Sequence, residues 1–119
     1  MRMLIAALLI AGTASAVDLP HGNVTLPVIG FPVAQPGFCV DGSESLFSSY
    51  QAAGLSPVLL YNLPDSNSQG HVWVAVPGSS GYQAVDSYFG PVRDDEFYHA
   101  DMMFGDVASL HSAFPRGAV

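Results

Sequence analysis

The chain has 119 residues, half of them apolar, with one cysteine, no lysine and a formal net charge of −7. That length and apolar content suit one domain with a single core and argue against disorder. So acidic a balance argues against nucleic acid and anionic lipid as partners, and a lone cysteine leaves no internal disulfide to make.

Residues 1–16 read as an export signal. Arg2 supplies the positive end, Leu4 to Ala11 is an apolar run too short to span a bilayer comfortably, and Ala14-Ser15-Ala16 has the small-x-small pattern of a cleavage site. The expectation is cleavage after Ala16 and a secreted protein, with membrane attachment only if the segment is retained. A buried N-terminal helix is the alternative. Removing the segment also removes Arg2, one of three cationic side chains, so the mature chain is more acidic still.

Between Val17 and Gly37, prolines at 20, 27, 32 and 36 and glycines at 22, 30 and 37 leave room only for extended or turn structure, an irregular arm wrapping the core. Asn23-Val24-Thr25 within it is a glycosylation sequon, a pattern that also arises by chance. From residue 38 to 119 a single folded domain is expected. Cys39, Ser43, Leu46, Phe47, Tyr50 and Ala53 recur at spacings of three and four, which predicts a helix over 39–53 with these residues on its inner face. Asp41 and Glu44 suit its positive end, and Gly54 suits the position just past its C-terminus.

Pro57 to Leu63 reads as a strand and Pro64 to Gly70 as a polar loop. His71 to Pro77 alternates, with Val72, Val74 and Val76 on one face and His71, Trp73 and Ala75 on the other. Gly78-Ser79-Ser80-Gly81 is a turn, and Tyr82 to Asp86 returns as the partner strand. A two- or four-residue loop centred on Ser79-Ser80 puts His71 and Asp86 on one face, opposite or diagonal. A three-residue loop separates them. Asp94-Asp95-Glu96 is expected to begin a short, solvated helix running to about Phe104. Val107 to Phe114 is expected to add another turn or two, and residues 116–119 to fray.

Cys39 stands at the N-terminal end of its helix, where unsatisfied N–H groups and the positive dipole end depress a thiol's pKa. A histidine downstream as base and a carboxylate to orient it complete the set a thiol nucleophile needs, and His71 and Asp86 fit those roles. An inert buried thiol and an intermolecular disulfide remain open for Cys39. Gln35 is a candidate oxyanion donor or a plain loop residue. Trp73 and Tyr82, on the His71 face, are candidates for a peptide groove or for the core. His21, His99 and His111 are scattered, and no metal and no cofactor are expected.

Cys39-Val40-Asp41-Gly42-Ser43, Ala53-Gly54-Leu55-Ser56-Pro57, His71-Val72-Trp73 and Asp86 occur in the order of the family pattern C-x-D-x-[SA], A-G-[IL]-x-[PA], H-[AV]-W and a closing aspartate. In these residues, from about Gly37 to Phe89, the chain resembles the transglutaminase-like superfamily of cysteine enzymes. Ser87 stands where that family often has proline, and the region before the cysteine is short. The resemblance implies an α+β, papain-like fold in which the cysteine helix packs on a small antiparallel sheet, with Cys39 as nucleophile, His71 as base and Asp86 as orienter. It implies a cysteine peptidase or amidohydrolase acting on peptide or isopeptide amide bonds through a thioester acyl-enzyme. The alternatives are a non-catalytic cell-surface binding module on the same scaffold and a protein cross-linking transglutaminase. In each case the partner is a peptide or protein.

Overall fold

A computed structural model of the chain describes residues 17–35, 37–64, 66, 70–92 and 99–113. The expected export signal and the acidic run Asp94-Asp95-Glu96 lie outside the described residues.

In chain order the elements are β1 (Val17–Asp18), α1 (Cys39–Ala52), β2 (Val58–Asn62), β3 (His71–Pro77), β4 (Tyr82–Asp86), β5 (Gly90–Val92), β6 (His99–Ala100), β7 (Met102–Phe104) and α2 (Val107–Ala113). Five strands form one antiparallel sheet in the order β5-β4-β3-β2-β7, and β1 pairs with β6 in a separate two-stranded ribbon. The described residues make an α+β domain.

The core has two sides because β3, at the centre of the sheet, is buried on both faces. Val72, Val74, Val76 and Val85 pack with Leu46, Phe47 and Tyr50 of α1 on the front. Trp73, Ala75 and Ala84 pack with Leu60 and Ala100 behind. A fully buried Val or Leu contributes about 1.5–3 kcal/mol relative to exposure, so the strict alternation in β3 stabilises both layers at once. The back layer is closed by Val17, Leu19 and Ala100, from β1, the arm and β6.

From β1 the arm crosses the β3–β4 turn. Tyr82 N–H donates to the Pro20 carbonyl and Gly22 N–H to the Tyr82 carbonyl, at 2.8 and 2.9 Å. It then descends the front, where Val24, Leu26, Ile29, Phe31 and Val33 are half-buried against the α1 layer. A hydrogen bond from Val33 N–H to the Ser87 carbonyl, 2.7 Å, ties it down just before α1.

α1 begins at Cys39 and ends in a Schellman turn. Gly54, at φ 87°, donates to Gln51, and Leu55 donates to Tyr50. Ala53 is the C-terminal cap and is exposed, so it is not part of the inner face that its spacing suggested. The expected helix up to Phe104 is absent over its described part. His99–Ala100 pairs with β1, and Met102–Phe104 pairs with Leu59–Tyr61. The reason is tertiary: the outer edge of β2 presents a row of unpaired backbone groups, and β7 satisfies them. Asp101, between the two strands, fastens this edge by accepting Leu63 N–H at 2.7 Å and donating its own N–H to Tyr61.

Candidate active site

The register of β3 with β4 runs Val74↔Val85, Ala75↔Ala84, Val76↔Gln83 and Pro77↔Tyr82, around a four-residue turn. One further step sets Asp86 opposite Trp73 and therefore diagonal to His71, on the same face. His71 Nε2 and Asp86 Oδ2 are 2.5 Å apart. His71 is the first residue of β3, so its ring stands at the end of the sheet, and it is there that Cys39, the first residue of α1, meets it.

The electrostatics follow from that junction. Burial pushes the Cys39 thiol pKa up. A hydrogen bond from His71, the backbone N–H of Val72 and the His71 charge outweigh that penalty and hold it below its ordinary value. Since Nε2 is committed to Asp86, Nδ1 is the ring nitrogen left for the thiol. For His71, burial works against the charged ring, but hydrogen bonds and charges from Asp86 and Cys39 push its pKa up to about 9. Asp86 is fully buried. Its carboxyl is raised by burial and lowered further by His71 and by the N–H groups of Tyr88 and Phe89, the net effect being a lowered pKa. Both carboxylate oxygens are used, Oδ2 by His71 and Oδ1 by Tyr88 N–H at 2.7 Å. The pair therefore favours thiolate and imidazolium together, the charged form of a cysteine–histidine dyad.

Two details fix the thiol's approach to the ring. Ser43, one turn after Cys39 and fully buried, donates its hydroxyl to the Val72 carbonyl at 2.9 Å. Val72 is thus held by α1 on its carbonyl side and faces the thiol with its N–H. Gly42 permits the close approach of the arm and the β4–β5 turn, since a Cβ there would lie 2.6 Å from Ala34 Cβ and from Ser87 Cβ and Oγ. Cys39 keeps 9 % exposure and the His71 side chain 25 %, so the dyad is recessed but not sealed from solvent.

The remaining candidates fare differently. Gln35 is exposed, and its carbonyl accepts Phe38 N–H at 3.0 Å in the turn leading into α1. It also lines the groove that runs beside that turn with Val33 and Ala34. Trp73 is not a groove residue. It is fully buried in the back layer, its ring stacked on His71 at 6.0 Å between centroids. Tyr82 is likewise structural, packed against the back layer at the hairpin end of β4 with its backbone tied to the arm. Trp73 is enclosed because Val17, Leu19 and Ala100 cover the sheet face that it shares with Tyr82, which stays half-buried.

Tyr88 was missed from the sequence. Its ring lies 5.9 Å from that of His71, tilted by 33°, and its backbone N–H holds Asp86. Extending the hairpin register three steps beyond Val74↔Val85 would have found it, because that places Tyr88 opposite His71. Ser43 carried a weaker signal, a hydroxyl on an otherwise apolar helix face.

The other histidines are engaged elsewhere: His99 with Asp18 across the ribbon, and His111 with Glu44, which joins α2 to α1. Among the described residues no group of three or more His, Cys, Asp or Glu comes together to hold a metal ion. No helix among them is long and apolar enough to cross a membrane. No protein-family model matches the chain, and searches of curated proteins and of solved structures also gave no match.

Proposed function

We propose that the chain is an exported cysteine hydrolase of papain-like, transglutaminase-like type that cleaves peptide or isopeptide amide bonds. The observation that carries the proposal is the continuous link of Cys39 thiol, His71 ring and Asp86 carboxylate, with the Nε2–Oδ2 contact at 2.5 Å and the thiol's pKa lowered by the same ring. Residues 1–16, with their charged, apolar and small-x-small parts, support export.

In this reading the Cys39 thiolate attacks the amide carbonyl carbon and forms a C–S bond. The carbonyl oxygen takes the negative charge, next to the first-turn N–H groups of α1, which have no intrahelical acceptor. His71 gives its proton to the nitrogen as the C–N bond breaks, and the amine leaves. The neutral ring then takes a proton from water, whose oxygen attacks the thioester and releases the acid and the thiolate. Asp86 keeps the ring oriented and supports its positive charge.

The partial exposure of His71 supports water over an amine as the second nucleophile, and hence hydrolysis over cross-linking. A second reading, a peptide-binding module on the same scaffold, is favoured by the exposed rings of Phe38 and Phe89.

Iodoacetamide labelling across pH tests the proposal. Cys39 should react with an apparent pKa well below 8, and His71→Ala should raise it towards the ordinary value of about 8.5. An ordinary thiol titration, unmoved by His71→Ala, would overturn the hydrolase reading and leave the binding module.

A further inference from the structure

Resting on the proposed hydrolase, the site's substrate class can be read from its walls. The large apolar side chains left exposed among the described residues are Val28, Leu63, Phe38 at 53 % and Phe89 at 75 %. Both phenylalanines adjoin the candidate triad. Phe38 precedes Cys39, and Phe89 follows Tyr88, whose ring meets Phe89 edge-on at 6.2 Å and His71 at 5.9 Å.

These rings are not isolated on a convex surface. The arm residues Val33, Ala34 and Gln35 form a wall with a depression on each side. One side is lined also by Pro32, Tyr88 and Phe89 and is mainly apolar. The other is lined also by Phe38, Asp41, Gly42 and Ser45. From Asp41 the outer face of α1 continues through Glu44, Ser45, Ser48 and Ser49. An apolar trough beside Tyr88 and Phe89 is thus separated by the arm from a second depression at the start of α1, which opens onto a serine-rich strip bearing Asp41 and Glu44, the latter engaged by His111. The chain as a whole carries three cationic side chains against ten carboxylates, so the potential over that strip attracts cations.

We infer that the site takes polypeptide segments in which a bulky apolar side chain, seated against Tyr88 and Phe89, lies a few residues from a lysine or arginine that faces Asp41. The apolar side chain supplies burial and the cation supplies register. A peptide with acidic residues at the second position is repelled by the same strip.

Binding to the full chain carrying Cys39→Ala tests this without turnover. The probes are fluorescein-labelled octapeptides read by anisotropy: a parent with one Phe and one Lys two residues apart, and its Phe→Gly, Lys→Ala and Lys→Glu versions. The parent should bind at least tenfold more tightly than the Phe→Gly and Lys→Glu peptides, with the Lys contribution fading at high salt. Phe89→Ala should erase the preference for Phe, and Asp41→Asn the preference for Lys, whereas Val28→Ser, at an exposed site outside the trough, should erase neither.

Equal binding of all four peptides, no binding of any, or preferences that survive both Phe89→Ala and Asp41→Asn would overturn the inference. The hydrolase reading is judged separately by the Cys39 titration. A depressed thiol pKa with no peptide preference overturns the substrate class alone. The predicted preferences with an ordinary thiol titration overturn hydrolysis and leave the trough assigned.

Discussion

Asp86→Asn is the most informative single substitution, because it preserves shape while removing one of two hydrogen-bond acceptors. The carboxylate accepts from His71 at Oδ2 and from Tyr88 N–H at Oδ1. An asparagine has a single oxygen, so one partner must face its NH2 group. While the ring is charged, either orientation of the amide leaves a donor facing the NH2 group, at a cost of about 1–3 kcal/mol, whereas a neutral ring can accept from that group at Nε2. The lost charge adds a second effect. His71 is pushed up from 6.5 to about 9, which corresponds to ~3 kcal/mol of preference for the charged ring in the folded state. Asp86 and Cys39 share that support, so removing the Asp86 charge forfeits part of it.

The sign follows from linkage. A raised histidine pKa contributes stability that is fully present below about 6.5 and is lost as pH rises through about 9. The stability deficit of Asp86→Asn should therefore be about 1–3 kcal/mol from the unsatisfied donor plus part of the ~3 kcal/mol charge effect at pH 6, and should shrink towards zero at pH 10, where the neutral ring accepts from the amide. Urea unfolding of the two proteins at both pH values measures it. A deficit that does not change with pH would refute the electrostatic part of the reasoning. A variant as stable as the parent at pH 6 would refute both parts.

Hydrolysis of a peptide amide, or Cys39 labelling at fixed time, should rise with pH at a value below that of an ordinary thiol. Hydrolysis should fall again near 9 as the His71–Cys39 pair loses its proton, the two limbs belonging to the pair. Ser43→Ala removes the buried hydroxyl bonded to Val72, and should cost about 1–3 kcal/mol in urea unfolding and raise the reactivity pKa of Cys39. Gly42→Ala and Gly54→Ala form a useful pair. The first inserts a methyl 2.6 Å from Ala34 and Ser87, the second meets nothing within 4 Å but sits at φ 87°. Both should destabilise by about 1–3 kcal/mol, and only Gly42→Ala should also slow Cys39 labelling.

The hairpin was the most legible part of the chain. Valines at 72, 74 and 76 alternating with Trp73 and Ala75, and a turn of Gly78 to Gly81, reduced the question to whether the loop is even or odd, and the observed four-residue turn sets His71 and Asp86 on one face. The helix was equally clear, because Cys39, Ser43, Leu46, Phe47 and Tyr50 keep its period and all are buried. The segment after Val92 was not legible. Met102, Met103 and Phe104 carry no alternation strong enough to announce a strand, and what made them one is the unpaired edge of β2, which closes through partners more than forty residues earlier in the chain.

Trp73 shows the same limit from the other side. Local pattern put it on the His71 face, correctly, but whether that face meets solvent depends on Val17 pairing with Ala100, a contact between opposite ends of the described chain. The sequence by itself determined which side chains share a face within each element, where α1 starts, and which thiol, ring and carboxylate were candidates for one site, because periodicity and helix ends are short-range properties of the backbone. Only the tertiary structure decided that both faces of the sheet are covered, that Tyr88 rather than Tyr82 stands against His71, and that Phe89 and Phe38 line open depressions on either side of the arm. Those outcomes rest on burial and edge pairing between distant segments, which no local pattern encodes.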